Sequence, residues 1–256
     1  MTLREVFTEL RRRDELAFVP YQTAGFPTLE QSLDNVQALC RHGADIVEIG
    51  IPFSDPIADG PTIQYASQVA LDNGTRLADV LAALTQRRFD RPLVMMSYVN
   101  PLLAYGPDRL LADMRRAGFS GLIVPDLALD QAAQWTKQAR AHDISLIFLL
   151  APTSTDQRIA QVAELSDAFI YAVSLTGTTG AREALPEGLP AFLQRIRRHT
   201  DLPVVVGFGI SRPEHVRALR PLADGVVVAS RIIDALRRKE PWLPLVEQLK
   251  AATKPQ

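Results

Sequence analysis

The stretch that decides the fold covers residues 29–51 and reads LEQSLDNVQALCRHGADIVEIGI. Its first half carries apolar side chains at helical spacing, for example at Leu33 and Val36. It ends in Ile46–Ile51, a short and almost continuously apolar run, and the small polar join His42–Asp45 separates the two parts. A helix that leads through a short join into a buried strand is the unit of which parallel α/β proteins are built.

Short apolar runs of this kind recur along the whole chain. Each is too short and too continuously apolar for a half-exposed antiparallel strand, so we interpret them as buried parallel strands. The eight runs are Ala17–Tyr21, Ile46–Ile51, Leu93–Ser97, Gly121–Pro125, Ser145–Leu150, Ala168–Val173, Pro203–Gly207 and Gly225–Val228. Stretches with helical spacing alternate with them. The sequence therefore predicts an α/β protein with a (β/α)8 TIM barrel, a single domain over residues 1–256.

Several helix starts carry capping signals. Thr28 with Gln31, and Ser211 with Glu214, have the spacing of a capping box, and Pro107 opens another helical stretch. A doubly wound parallel sheet is the alternative fold. We favour the barrel because an open sheet of this size would usually carry a G-x-G-x-x-G fingerprint after its first strand, and the sequence has none there.

The composition restricts the class of protein. The chain has 256 residues, 28 basic against 29 acidic side chains, and one cysteine, Cys40. The balanced charge argues against a nucleic-acid-binding protein, and one cysteine cannot form an intramolecular disulfide. The N-terminal residues are too charged for a targeting sequence, and the apolar runs fall far short of the roughly 18 residues of a membrane span. We therefore expect a cytoplasmic protein.

Glu48 is the most unusual residue of the predicted strands, because its neighbours Val47 and Ile49 are apolar. A buried carboxylate without a partner is costly or takes up a proton. An ion pair across the barrel would satisfy it, but none of the eight predicted strands contains a lysine or arginine. A carboxyl group of raised pKa near the C-terminal end of a barrel strand suits general acid–base catalysis. We therefore expect Glu48 to be catalytic.

The loop after this strand, residues 52–62, contains two more carboxylates, Asp55 and Asp59. Both precede turn-forming residues, so shaping a turn would account for them. The loop also leaves the strand that carries Glu48, and it contains three prolines. It is therefore able to hold a second carboxylate rigidly over the mouth of the barrel.

A phosphate site is predicted on the opposite side of the barrel mouth. Glycines and a serine at a helix start expose backbone N–H groups to an anion, and barrels often bind phosphate after strands seven and eight. The residues are Thr179 and Gly180 in the long sixth loop, Gly207, Phe208 and Gly209 after the seventh strand, and Ala229 and Ser230 after the eighth. We therefore expect a phosphorylated substrate.

The histidines do not suggest a metal site. All four fall in predicted helices or at helix ends, where we expect them on the surface: His42, His142, His199 and His215. No pair has metal-ligand spacing except the near miss of Cys40 and His42, so we expect no metal.

Taken together, Glu48, the segment PFSDPIADGPTIQ at residues 52–64 and the segment GFGI at residues 207–210 closely resemble the tryptophan synthase α subunit family. The resemblance extends over nearly the whole chain. It implies a (β/α)8 barrel that cleaves indole-3-glycerol phosphate to indole and glyceraldehyde 3-phosphate, a retro-aldol reaction of tryptophan biosynthesis.

The resemblance also implies roles for single residues. Glu48 would protonate indole C3 and take the proton of the hydroxyl next to the breaking bond, while Asp59 would accept the indole N–H and stabilise the growing positive charge. Tyr171 would lie near the substrate. The lid would contain Thr179 and Gly180, and the phosphate would rest on Gly180, Gly209 and Ser230.

A partner is implied as well: a pyridoxal-phosphate β subunit in an α2β2 complex, which Asp55 and Asn100 would face. No cofactor is expected in this chain. Two other functions stay open, a stand-alone lyase that releases free indole and a non-catalytic regulatory barrel subunit. Intact Glu48 and Asp59 argue against the second.

Three residues depart from the family pattern. Gln22 stands where the family usually has an apolar residue, Ala229 replaces a usual glycine, and Arg231 replaces a usual small residue. We expect the extra methyl group of Ala229 to crowd the phosphate. Arg231 either strengthens phosphate binding or points outward, and we favour the outward orientation. These changes bear on substrate affinity more than on the class of reaction.

Overall fold

A computed structural model describes residues 1–173, 186–207 and 209–255. The strands are β1 Ala17–Thr23, β2 Val47–Gly50, β3 Leu93–Met96, β4 Phe119–Ile123, β5 Ser145–Ile147, β6 Leu149–Leu150, β7 Ile170–Val173, β8 Val204–Gly207 and β9 Gly225–Val228. The helices are α1 Leu3–Arg12, α2 Leu29–Arg41, α3 Pro61–Asp72, α4 Leu77–Thr85, α5 Val99–Tyr105, α6 Pro107–Arg116, α7 Leu129–Ala141, α8 Asp156–Leu165, α9 Leu189–Arg197, α10 Pro213–Leu219, α11 Ser230–Arg237 and α12 Leu243–Ala251. Within the described ranges, no helix has the length and apolar character that crossing a membrane requires.

All strand pairs are parallel, and their order is β5-β4-β3-β2-β1-β9-β8-β7-β6. The two ends of this order, β5 and β6, follow each other in the chain with only Phe148 between them. They are the two halves of one barrel strand, of which the first half pairs with β4 and the second with β7. The nine segments therefore correspond to the eight predicted runs, and the predicted (β/α)8 barrel is confirmed.

Helix α1 closes the N-terminal end of the barrel. A capping box starts it, in which the Glu5 backbone N–H donates to Thr2 Oγ1 at 3.2 Å and the Thr2 N–H donates to Glu5 Oε2 at 2.7 Å. Its buried side chains, Leu3, Val6, Phe7 and Leu10, pack against the side chains inside the barrel. The second layer of the core lies between the strands and the outer helices.

The predicted helix starts were right in two of three cases. Thr28 caps α2 by accepting the Gln31 N–H, and α6 begins at Pro107. The capping box at Ser211 was wrong, because α10 begins at Pro213 with Arg212 as its N-cap. A residue before proline is driven out of the helical region, and Arg212 is extended (φ −136°, ψ 152°), so Ser211 lies one residue too early.

The surface position expected for His215 was also wrong. The residue is only 5% exposed, and the Ser211 N–H lies 3.5 Å from its Nδ1. His42, by contrast, lies at the end of α2, where its Nδ1 is 2.7 Å from Glu247 Oε1. Helical spacing alone did not show which side of the short α10 faces the barrel.

An ionic cluster joins the last helix to the N-terminal end of the barrel. The Nζ atom of Lys250 lies 2.8 Å from Asp45 Oδ2 and 3.3 Å from Glu15 Oε2. Asp45 also accepts the Phe18 N–H at 2.8 Å. All three charged side chains are largely shielded from water.

We expect Lys250→Met to lower the free energy of unfolding by about 3–5 kcal/mol, because two shielded carboxylates lose their cation. Lys254→Met is the matched control: this lysine is exposed near the same chain end, and its loss should change stability by less than about 0.5 kcal/mol. Urea denaturation of both variants measures the difference. Equal stability of the two would show that the cluster contributes nothing.

Candidate active site

Glu48 lies in the middle of β2, directly opposite Tyr21 of β1, and is only 4% exposed. Its Oε2 atom has no hydrogen-bond partner among the described residues. Burial raises the pKa of Glu48 to about 8, and the charge of Asp59 adds to this rise, while a hydrogen bond with Tyr171 opposes it. At neutral pH this side chain is therefore largely a carboxylic acid, as its unusual place in the sequence predicted.

Asp59 lies in the loop between β2 and α3, which is folded by two tight turns. The Ile57 N–H donates to the Asp55 carbonyl at 2.9 Å, and the Asp59 N–H donates to the Pro56 carbonyl at 3.0 Å. Burial raises the pKa of Asp59 to about 6, against a hydrogen bond from Tyr98 that lowers it. Asp59 is therefore ionised at neutral pH.

Both carboxyl groups line one cavity of about 160 Å³ at the C-terminal end of the barrel. The cavity also brings together the described members of the predicted substrate site: Tyr171, Gly207, Gly209, Ala229 and Ser230. Part of its wall is apolar, with Met96, Ile123, Leu149, Ile210 and Val227. Thr179, Gly180 and Phe208 lie outside the described residues. An acid and a carboxylate with separated pKa values in one cavity are suited to proton transfer beside a developing positive charge.

Two tyrosines line the cavity in the same way. Tyr21 is in register with Glu48 and lies over Gly50, two residues further along the neighbouring strand. Tyr171 is in register with Val205 and lies over Gly207, again two residues further on. A Cβ atom at either glycine would come within 2.5 Å of a tyrosine side-chain atom. The two glycines therefore provide the space in which the tyrosine rings lie.

The cavity wall also contains a helix start and a glycine with positive φ. Helix α11 begins at Ser230, and the first N–H groups of a helix have no partner within it. Gly209 has a positive φ of 38°. Ala229 lines the cavity and also packs against the apolar cluster that includes Tyr21.

Arg231 also lines the cavity, but its guanidinium is engaged elsewhere. The Nη1 atom lies 3.3 Å from Oε2 of Glu240, which follows the end of α11. The outward orientation of Arg231 stays a prediction, because the residue both lines the cavity and pairs with Glu240.

Gln22 does not contribute to the cavity, although it is fully buried in β1. Its Nε2 atom donates to the carbonyls of Thr23 and Phe26 at 2.9 and 2.8 Å, and its Oε1 accepts from Asn35 of α2 at 3.3 Å. The side chain therefore lies between the strand and α2 and holds the β1–α2 loop. Its departure from the family pattern leaves the cavity lining unchanged.

The two residues expected to face a partner are both exposed. Asp55 lies in the β2–α3 loop, where its Oδ2 accepts the Ser54 hydroxyl at 2.5 Å, and Asn100 lies in α5. Two large apolar side chains are exposed on the same loop and helix, Ile57 at 79% and Leu103 at 52%.

The sequence did not reveal the roles of Tyr21 and Tyr98. Tyr98 follows β3 and donates its hydroxyl to Asp59 Oδ2 at 3.0 Å. The one available signal was their position at the C-terminal ends of strands, where barrel enzymes place functional residues. That position alone does not tell an inward side chain from an outward one.

A (β/α)8 barrel with a buried acid and a second carboxylate at the C-terminal end of its strands is typical of barrel enzymes, and its cavity is suited to acid–base chemistry. The sequence model of the family "tryptophan synthase alpha chain" matches residues 7–254. The alpha chain from Roseiflexus castenholzii is 48% identical over 242 residues, which cover 93% of each chain. The alpha chain from Chloroflexus aggregans is 47% identical over 242 residues, 93% of this chain and 91% of that one.

Solved structures of tryptophan synthase chains are also similar to this chain. A tryptophan synthase chain from Mycobacterium tuberculosis superimposes with a TM-score of 0.94 and 38% identity, covering 99% of this chain and 98% of that one. A mutant alpha subunit from Pyrococcus furiosus gives 0.83 and 36%, covering 93% and 97%. The chain belongs to the tryptophan synthase alpha chain family. It is a carbon–carbon lyase that cleaves indole-3-glycerol phosphate to indole and glyceraldehyde 3-phosphate in tryptophan biosynthesis.

Proposed function

We propose that Glu48 carries out both proton transfers of this reaction. In its protonated form it gives a proton to C3 of the indole, which makes the ring a leaving group. The carboxylate that results takes the proton of the adjacent hydroxyl as the C–C bond breaks, so the aldehyde forms and the acid is restored. The observation that carries the proposal is the buried carboxyl group with a pKa of about 8 in the cavity.

Asp59 stabilises the protonated indole in this mechanism. Once C3 is protonated, the ring carries a positive charge that is shared with its nitrogen. A carboxylate that is ionised at neutral pH, and that shares the cavity with Glu48, accepts the ring N–H and balances the charge. The apolar part of the cavity wall suits the flat indole ring.

The phosphate of the substrate binds at the part of the cavity lined by Gly207, Gly209, Ala229 and Ser230. The proposed site also includes Phe208 and Gly180, which lie outside the described residues. The first turn of α11 supports this placement, because its N–H groups and helix dipole attract an anion. Tyr171 and Thr179 lie beside the substrate in this arrangement. Inorganic phosphate should compete with the substrate if the site is correctly placed.

The chain acts with a tryptophan synthase β subunit in an α2β2 complex, and pyridoxal phosphate is needed only by that partner. The similarity of this chain to chains in solved tryptophan synthase structures supports the partnership. Asp55 and Asn100 face the β subunit, and the exposed Ile57 and Leu103 beside them supply apolar contact. Residues 1–256 form one barrel domain that functions in the cytoplasm. It binds no nucleic acid, membrane or metal.

An indole-release assay tests the function as a whole. The purified chain is given indole-3-glycerol phosphate, with and without a β subunit, and indole and glyceraldehyde 3-phosphate are measured in equal amounts. Activity that rises when the β subunit is added supports the complex. Full activity alone, unchanged by the partner, would favour a stand-alone lyase, and no cleavage in either case would favour a non-catalytic subunit.

Arg231→Ala should raise the KM for indole-3-glycerol phosphate by less than tenfold, because Glu240 already engages the guanidinium. The measurement compares the KM of the two proteins at low and moderate salt. A shielded contact between Arg231 and the phosphate would contribute about 1.5–3 kcal/mol, equivalent to a rise of tenfold or more. A rise of that size would overturn the outward orientation.

A further inference from the structure

Tyr98 is a buried tyrosine, only 1% exposed, at the junction of β3 and α5. It is the N-cap residue of α5, and its ring lies inside the barrel mouth rather than on the helix surface. The next residue is tied down as well, since the Val99 N–H donates to Asp126 Oδ1 at 2.9 Å. The position of the Tyr98 ring is therefore fixed by its place between β3 and α5, and this segment is separate from the β2–α3 loop that the ring contacts.

The side chain of Tyr98 contacts both ends of the β2–α3 loop. The ring of Phe53, at the start of the loop, packs against the Tyr98 ring with centroids 5.3 Å apart. At the other end, the Ala58 N–H donates to the Tyr98 hydroxyl oxygen at 3.1 Å, and the hydroxyl donates to Asp59 Oδ2 at 3.0 Å. The position of Asp59 relative to the barrel therefore depends on Tyr98.

The direction of these hydrogen bonds follows from their chemistry. A backbone N–H can only donate, so the Tyr98 oxygen accepts from Ala58 and its own proton is available for Asp59. A carboxylate oxygen accepts such a proton best when it is ionised. The contact occupies Oδ2, and among the described residues no hydrogen bond to the other carboxylate oxygen of Asp59 is found.

We propose that Tyr98 is the positioning residue of Asp59: it aims the carboxylate at the indole N–H and favours its ionised form. This inference rests on the proposed role of Asp59 in charge stabilisation. Tyr98 itself does not touch the reacting atoms. It acts by fixing the loop and by the hydrogen bond to the carboxylate.

The surroundings of Asp59 make this hydrogen bond important. The titratable groups of the described residues that interact with Asp59 are Glu48, Tyr21, Tyr98 and Tyr171. None of them is a cation, and Asp126 acts on Tyr98 rather than on Asp59. Burial raises the pKa of Asp59, and the Tyr98 hydroxyl is the group that opposes this rise.

The test is the pH dependence of kcat/KM for the full chain carrying Tyr98→Phe. Loss of a hydrogen bond to a charged group should lower kcat/KM by about 10- to 100-fold at pH 7, and the acid limb of the profile should move to higher pH. Tyr105→Phe is the matched control, because Tyr105 lies in the same helix and bonds Asp113 instead. A Tyr98→Phe profile identical to that of the control would overturn the proposal.

Two further measurements distinguish a role of Tyr98 in positioning Asp59 from a general loss of structure. Replacement of Tyr98 by 3-fluorotyrosine keeps the ring and strengthens the donor, so it should move the acid limb to lower pH; this variant decides the question if Tyr98→Phe fails to fold. In an Asp59→Asn background, Tyr98→Phe should add little further loss. High activity of Asp59→Asn would refute the role of Asp59, whereas an inactive Asp59→Asn with a normal Tyr98→Phe profile would refute only the role of Tyr98.

Discussion

Glu48→Gln should lower the turnover of indole-3-glycerol phosphate by at least about 10²- to 10⁴-fold, with little change in substrate binding. Glutamine keeps the size and polarity of the side chain but can neither give nor take a proton. The buried position of Glu48 and its pKa of about 8 are the grounds for this expectation. Single-turnover rates and the substrate Kd measure the two effects separately. Near-normal turnover would rule out Glu48 as the proton-transfer residue.

The same variant should unfold at a higher temperature than the parent protein at pH 8. Between the ordinary pKa of a glutamate and a pKa of about 8, the folded protein holds a proton on Glu48 that the unfolded chain has lost. The stability of the parent therefore falls as the pH rises through this window, and glutamine abolishes this dependence. Glu164→Gln, at an exposed position of α8, should show neither the gain in stability nor the loss of turnover. A gain at pH 8 that is absent at pH 4 separates lost chemistry from damage to the fold.

Asp59→Asn should lower turnover by about 10²-fold or more, because the amide cannot balance a positive charge on the indole ring. Asparagine still accepts a hydrogen bond from the ring N–H, so binding should change less than kcat. In the parent enzyme, activity should fall as the pH drops below about 6, where Asp59 takes up a proton. Rate measurements from pH 5 to 8 follow this change.

Asp72→Asn provides the control for the aspartate, because Asp72 is exposed at the end of α3, where it accepts a hydrogen bond from Gln68. It should keep normal turnover and a normal pH profile. If Asp59→Asn also keeps most of its activity, the carboxylate serves to shape the loop, which is the other explanation its sequence context allows.

The barrel could be predicted from the sequence because its strands are buried on both faces. Such strands appear as apolar runs, and Gly225–Val228 was predicted with its observed bounds. The fourth strand was placed two residues late: it begins at Phe119, immediately after Gly118, which turns the chain with a φ of 89°. The start was missed because the polar Ser120, which is partly buried, interrupts the apolar run by which the strands were recognised.

The candidate site was predictable where its chemistry conflicts with its surroundings. Glu48 was found because a carboxyl group has no ordinary reason to lie among apolar strand residues. Tyr21 and Tyr98 gave no such signal, since a tyrosine fits an apolar strand end equally well facing the barrel or the helices. The interaction of Tyr98 with Asp59 depends on the path of a loop and spans 39 positions in the sequence. Contacts of this kind follow from the folded geometry and not from any local pattern.

Helix α1, at the opposite end of the barrel, belongs to the same apolar cluster as part of the cavity wall. The ring of Phe7 packs against that of Phe169 with centroids 5.4 Å apart and the ring planes tilted by 53°. The same apolar cluster includes Met96 and Val227 of the cavity wall. This cluster fills the barrel interior between α1 and the cavity, and it contributes to the burial that raises the pKa of Glu48. The proton affinity of the Glu48 carboxyl group therefore depends partly on apolar side chains at the far end of the barrel, including those of the first helix.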